Sequence, residues 1–546
     1  MPQSTTAELI LVNAHLPETG PLQAVAVRGG TIAAIGDTDA VTAGLRDART
    51  EVVDLAGATL LPGLTDSHIH PVMGAVELAA GTDLSRCRSL EEVRTLLAEA
   101  ARTSTNGWVE AWGLDPNLFG SEPISHAAIE PALNGMPAAV RLFDGHALLA
   151  GRRALEIAGV DGPRGFASES SVVCDAEGRP TGHLLEMEAI ALVLQHVPAP
   201  SREQTLARIR LALAGMAATG LTGGHVMDAH GDSFALLDEL EQGDADGLAL
   251  RLALHPWLDP SEGADGVDGL IRLQGRAGRR WSVAGVKLFI DGTVDGGTAW
   301  LDAPDCHGES TRCYWPDPAE FTRAVRRLAA AGVSTATHAI GDAGVRHVLD
   351  ALAGAGAGAD AGADRAWRHR IEHIETLPAE LVPRFAAQRV VASMQPTHCT
   401  DYTKADHSDN WSTRLGQSRA DRGWPCRELA DSGAVLALGS DWPIAPYDPR
   451  VVMSSARTRR PAADPQAAAH HRRQVLTARQ ALDGYTVNPA RARGESAVAG
   501  RIAPGFRADL TVLADDPLTT PPADLLTTPV RLTVVDGRII HRDPAL

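Results

Sequence analysis

The chain has 546 residues, enough for one large barrel plus smaller modules at about 150 residues per domain. Hydrophobic residues make up 44% and aromatic residues only 4%, so Ala, Val and Leu supply most of the buried surface, and disordered, collagen-like and fibrous classes are excluded. Fifty Lys and Arg against 68 Asp and Glu leave a net charge of −18, the wrong sign for tracking phosphate, so neither nucleic acid nor an anionic membrane is an expected partner.

The opening Met1-Pro2-Gln3-Ser4 lacks the basic start of a secretory signal, and no apolar run approaches the roughly 20 residues of a membrane helix; a cytoplasmic location is expected. The six cysteines are scattered with no CxxC pair, which fits reduced thiols. Short apolar runs separated by turn residues fill the first sixty positions: Leu9 to Val12, Ala24 to Val27, Thr31 to Ile35 and Val52 to Leu55. The same texture returns after about residue 497, in Ala508 to Leu513 and in Leu532 to Val535 followed by Asp536-Gly537 and Ile539-Ile540. Neither end can bury a face alone, so residues 1–63 and 497–546 are expected to pair as one composite β-sandwich.

Between the ends, strand-like runs alternate with helical stretches, which predicts a parallel sheet. Ser89-Leu90-Glu91-Glu92 and Ser201-Arg202-Glu203-Gln204 have capping-box spacing, Asp317-Pro318 puts proline at a first helical position, and Thr477 precedes another apolar-periodic run. Candidate strands run from Thr59 to His70, Ala139 to His146, Leu221 to Val226, Ala249 to His255, Val283 to Ile290, Val333 to His338, Arg370 to His373, Val390 to Gln395 and Val435 to Asp441. Nine is one more than an eight-stranded barrel needs. The interval from His70 to Leu221 is far too long for one βα loop, so Ala139 to His146 is assigned to an insert over residues 71–220. The prediction is an α/β chain: a distorted (β/α)8 TIM barrel over 64–496, carrying that insert, with the sandwich built from both ends. The run from Ala353 to Ala363 reads as a flexible surface loop.

His68-Ile69-His70 ends a strand-like run, and side chains two apart on a strand share a face, so both imidazoles can reach one metal ion. Polar strand ends of this kind also serve simply as hydrogen-bonding groups. Gly285-Val286-Lys287-Leu288-Phe289-Ile290-Asp291 sets a lysine in the middle of an apolar strand, where a bare ammonium is costly. It snorkels, pairs with an acid such as Asp291, or loses its charge by carboxylation to a carbamate that can bridge two cations. His338, His373 and Asp441 each end a further strand-like run. Barrel enzymes carry their chemistry at the C-terminal strand ends, so these three can converge with His68, His70 and Lys287 on one cavity.

Taken with Leu61-Pro62-Gly63-Leu64-Thr65-Asp66-Ser67-His68-Ile69-His70, Asp144-Gly145-His146-Ala147, His338-Ala339-Ile340-Gly341-Asp342, Ser393-Met394-Gln395-Pro396, Gly439-Ser440-Asp441 and Pro504-Gly505-Phe506-Arg507-Ala508-Asp509-Leu510, the chain resembles the amidohydrolase superfamily. Within it, the resemblance is to the amidohydrolase 3 group of YtcJ-like metal-dependent hydrolases, over almost the whole length. The resemblance implies that His68 and His70 bind one metal, that His338 and His373 bind another, that carboxylated Lys287 bridges them, and that Asp441 is both ligand and general base. The cofactor it implies is zinc, one or two ions, with iron or manganese as alternatives. Three places depart from the family pattern. The usual arginine is missing from Asp291-Gly292-Thr293-Val294-Asp295-Gly296-Gly297-Thr298-Ala299, Trp112-Gly113-Leu114-Asp115 stands for Trp-Gly-Trp-Asp, and Glu375 stands where an amide is usual.

The expected activity is hydrolysis of an amide-type, non-peptide carbon–nitrogen bond in a small molecule. Metal-activated water attacks the carbonyl, and Asp441 takes the proton and returns it to the departing nitrogen. His146 and His225 are candidates to hold the substrate carbonyl, Trp112 and Asp291 to contact the substrate, and the insert to close over the cavity. Alternatives are a cyclic-amide or ureide hydrolase or a deaminase on the same site, and a non-catalytic regulatory or binding protein on a decayed barrel. The sequence leaves the oligomeric state open, with a homodimer as one option.

Overall fold

The computed structural model describes residues 6–17, 20–78, 81–120, 122–243, 247–353 and 369–546. From residue 354 on, the expected alanine-glycine surface loop lies outside the described residues. Parallel strands alternating with helices build a TIM-barrel-like α/β core in two sheets. Leu64–Ile69, Leu221–Ala229, Arg251–Pro256 and Trp281–Val283 form one; Val286–Phe289, Thr335–Ala339, Arg370–His373, Val391–Met394 and Leu436–Leu438 form the other. Single parallel bridges link the two, Trp257 to Lys287 on one side and Ile69 to Trp442 on the other.

Two expected strands are each broken in two. Thr59 to His70 divides at Gly63, whose N–H donates to Asp509 O. Thr59–Pro62 pairs antiparallel with Leu510–Leu513 near the other end of the chain, while Leu64–Ile69 enters the parallel core beside Leu221–Ala229. Val283 to Ile290 divides where the backbone changes partner: Ala284 donates to Leu254 O, whereas Val286 donates to Ser334 O. That change of partner is where the core parts into two sheets.

Most strands of the core are buried on both faces, as in Thr335–Ala339 and Val391–Met394, because helices cover the outside. Those helices start at the capping residues. Ser201 and Thr477 make complete capping boxes with Gln204 and Gln480, and the Asp317 carboxylate accepts from Ala319 N–H. Ser89 accepts from Glu92 N–H, but Glu92 returns to the N–H of Arg88 rather than of Ser89, so that box is displaced by one residue.

At the chain ends, Leu9–Ala14, Gln23–Arg28, Thr31–Gly36 and Glu51–Asp54 form one four-stranded sheet, and Thr59–Pro62, Leu510–Leu513, Val530–Val535 and Arg538–Arg542 another. Leu11, Val25 and Leu60 share one apolar cluster with Leu510, Val512 and Val534, all essentially unexposed. Six strands between Thr82 and Leu185 form a separate sheet, and Ala138–Leu142, expected to continue to His146, belongs to it. The strand ends at Leu142 because residues 143–146 turn back into Ala147–Ala150. Among the described residues, no helix is long and apolar enough to cross a membrane.

Candidate metal centre

The first and last parallel strands are pinned together below the cavity by Asp66. Its buried carboxylate accepts the backbone N–H of His68 at 3.0 Å and of Ser440 at 3.1 Å, while Asp441 N–H donates to His68 O and His70 N–H to Trp442 O. Burial pushes the Asp66 carboxyl up to about 7 despite these bonds. Gly439 makes the approach feasible: a Cβ there would lie 2.6 Å from His68 N and 2.8 Å from Asp66 Oδ1. The turn holds Asp441 at φ +59°, a left-handed conformation uncommon for residues with a side chain and concentrated at functional sites.

Held this way, Asp441 faces four imidazoles. Its Oδ1 lies 2.9 Å from His70 Nε2 and 3.4 Å from His68 Nε2; its Oδ2 lies 3.8 Å from His373 Nδ1 and 3.7 Å from His398 Nε2. Burial opposes the Asp441 charge, but His68, His70 and His398 outweigh it and hold the carboxyl well below the usual range. His68 Nδ1 donates to Glu372 Oε2 at 2.6 Å, and Arg370 clamps the same carboxylate while donating to Ser67 O and Ser393 Oγ. Burial first, and nearby cations second, hold His68, His338 and His373 well below the ordinary imidazole range. Neutral imidazoles keep a lone pair for a metal.

Lys287 lines the same cavity, 1% exposed, with Nζ 4.9 Å from the centre of the Phe289 ring. Burial lowers it to about 8, against the pull of Glu372 and Asp441. Its partner is not Asp291. The Asp291 carboxylate accepts from Trp300, Ile340 and Gly341 N–H at 2.7–3.0 Å and lies off the cavity lining. Asp291 is therefore placed to brace two loops rather than to touch a substrate. His225 is also off the cavity: its Nδ1 accepts from Arg370 at 2.7 Å, beneath the site. His338 does line the cavity, with Nε2 3.1 Å from Gly292 O.

Trp112 and His146 reach the cavity from the sheet formed by residues 82–185. Burial lowers His146, but Glu186, 2.8 Å from its Nδ1, and Asp144 more than offset it and raise the imidazole to about 9. His398 is a residue that the strand-end reasoning passed over, because it lies on the helix Pro396–Tyr402 beyond its strand. A histidine two residues past Gln395-Pro396 was the available signal. Glu372 was likewise passed over. Arg370-x-Glu372 alternation in a wholly buried strand implies a paired acid, since an unpaired one is costly.

His68, His70 and Asp441 offer ligand atoms within 4.8 Å of one another, as do His373, His398 and Asp441. Nε2 of His68 and of His398 are buried with no hydrogen-bond partner, a state that costs about 1–3 kcal/mol per group and that a cation would relieve. Imidazole nitrogens with a carboxylate oxygen are the donor set of borderline divalent ions. The residues present therefore fit a metal.

The amidohydrolase family matches residues 51–541. The chain is 28% identical over 536 residues to the amidohydrolase-family protein YtcJ of Bacillus subtilis (strain 168), covering 96% of this chain and 97% of that one. It is 25% identical over 561 residues to the N-substituted formamide deformylase of Arthrobacter pascens, covering 97% of each. Among solved structures, an uncharacterized metal-dependent hydrolase from Pyrococcus horikoshii OT3 superposes with a TM-score of 0.70 at 22% identity, covering 94% of this chain and 99% of that one; this likeness is one of fold.

Proposed function

The chain belongs to the amidohydrolase family, and on that premise we propose that it cleaves an amide-type, non-peptide carbon–nitrogen bond of a small molecule, with Asp441 as general base and acid. Membership makes it a hydrolase of carbon–nitrogen bonds. What carries the finer reading is the meeting of Asp441 with His68, His70 and His373 on the lining of one cavity. The name of the Arthrobacter relative supports formamides as the first compounds to test.

In this reading His68, His70 and Asp441 would hold one zinc ion, and His338, His373 and a carboxylated Lys287 would serve a second, with iron or manganese as alternatives. A bound divalent ion supplies Lewis acidity toward a carbonyl and lowers the pKa of water toward about 7. Burial keeps part of the Lys287 side chain as neutral amine, the form that adds to carbon dioxide with loss of a proton. Glu372 fixes the His68 ring by accepting from Nδ1, leaving Nε2 as the lone-pair nitrogen. Asp441 lines the cavity, where it takes a proton from water and delivers it to the leaving nitrogen, since an amine departs poorly unless protonated. Residues 1–63 with 497–546 form the composite end domain, 64–496 the barrel, and 71–220 the insert that closes over the cavity and selects the substrate.

The test is a screen of N-formyl amines, N-acyl amino acids and cyclic ureides against metal-replete protein, with a metal-stripped control. Asp441→Asn is expected to lower kcat about 10²–10⁴-fold, the range for a general acid–base group. Full activity in that variant overturns the assignment of the base.

A further inference from the structure

Glu186 occupies a place that its residue type would avoid unless something held it there. Its backbone lies at φ +64°, ψ +166°, a region populated almost only by glycine, and the residue is 2% exposed. Three bonds hold it. Its N–H donates to His146 O at 2.8 Å, its Oε1 accepts from Thr298 Oγ1 at 2.7 Å, and its Oε2 takes Nδ1–H of His146 at 2.8 Å. Space for the carboxylate depends on Gly292, where a Cβ would collide with Glu186 Oε1.

His146 is fixed from its other side too. Its N–H donates to Asp144 Oδ1, and Asp144 Oδ2 accepts from Thr293 Oγ1 at 3.0 Å. Two carboxylates from the inserted sheet thus dock on two hydroxyls of the loop that follows Val286–Phe289. Nδ1–H goes to Glu186, and the carboxylates of Glu186 and Asp144 hold the ring as its cation, so Nε2 also carries a proton and is the donor left for the cavity that His146 lines. The ring stands 4.8 Å from that of His338 and 6.0 Å from that of Phe289, on the edge of the candidate metal centre. A protonated histidine fixed by a buried acid presents its second N–H as a preorganised donor for charge developing on a carbonyl oxygen.

We propose that Glu186 is a positioning residue: it locks the His146 ring so that Nε2–H donates to the substrate carbonyl oxygen as attack at carbon makes it an oxyanion. The role rests on the amide-hydrolase reading above. No bond to His146 forms or breaks; attack on carbon moves the carbonyl π pair onto oxygen, where the hydrogen bond strengthens.

The experiment pairs kinetics on an N-formyl amine with imidazole 15N shifts of His146 in histidine-labelled full-length protein. Glu186→Gln should lower kcat about 10²–10³-fold, the loss recorded for an oxyanion donor, with KM little changed, and should move the His146 Nδ1 resonance. Glu186→Gly removes the carboxylate while suiting the backbone, so it should stay folded and show the same loss. Glu186→Gln with His146→Gln should be no slower than His146→Gln alone, because both changes remove one interaction. Unchanged 15N shifts in Glu186→Gln, a kcat equal to wild type in Glu186→Gly, or losses that multiply in the double variant would each overturn the proposal. The shifts are read without substrate, so wild type inactive on every amide would sink the hydrolase reading and leave the positioning of His146 to be decided by NMR.

Discussion

Glu372 and His68 meet beneath the cavity, Oε2 to Nδ1 at 2.6 Å, with both side chains wholly buried. The contact sets which imidazole nitrogen faces Asp441, and it ties that choice to Arg370, which binds the same carboxylate. Replacing Glu372 by Gln leaves a neutral amide facing a buried guanidinium. Breaking one partner of such a pair typically costs 3–5 kcal/mol, and loss of an outer partner to a ligand histidine costs about 10–100-fold in metal affinity. Glu372→Gln should therefore melt lower and bind zinc more weakly in a competition titration. Unchanged affinity would show that the bond does not orient His68.

Gly439 sits where the last strand crosses the first. The space a methyl group would need is taken by His68 N and Asp66 Oδ1, and both belong to rigid, buried backbone contacts. Overpacking of this kind costs about 1–3 kcal/mol, and relief by backbone movement would shift Asp441 two residues on. Gly439→Ala is expected to lower both the melting temperature and the metal content per chain. Wild-type metal content in a destabilised variant would uncouple the strand crossing from the site.

Asp295, on the cavity lining, accepts from Asn410 Nδ2 at 2.9 Å. Burial first, then repulsion by Asp144, Asp409 and Asp115, outweighs that bond and raises the carboxyl from 3.8 to about 7. A carboxyl raised on folding holds its proton longer in the native state, so its contribution is fully present below pH 3.8 and is lost as pH rises through about 7. Asp295→Asn cannot ionise. Its stability relative to wild type should rise between pH 4 and pH 8 and then level off, as read by thermal melting across that range. A difference independent of pH would contradict the shift.

Much of the parallel core could be read from apolar runs ending in polar residues, because residues such as His338 and His373 stand at the ends of buried strands. The break at Ala284 was hidden inside a continuous apolar run, whereas the one at Gly63 was signalled by Pro62-Gly63; in both cases the change of partner depends on which distant backbone accepts the hydrogen bonds. His68, His70 and Asp441 carry a local motif or a strand-end position and could be named in advance. His398 and Glu186 carry neither; one is brought in by a helix and the other by a strained turn after a strand of the six-stranded sheet, so only tertiary packing shows them. Asp291 and His225 looked chemically apt in sequence, yet the Asp291 carboxylate is taken by backbone N–H groups, and His225, its Nδ1 bonded by Arg370, lies off the cavity lining.

The account stands most directly on metal content and hydrolysis measured on the same samples: as purified, after chelation and dialysis, and after return of zinc. The rate on the best N-formyl amine should fall with the bound metal, return when zinc is restored, and fail to return in His68→Ala. Full hydrolysis by protein shown by elemental analysis to hold no metal would contradict it.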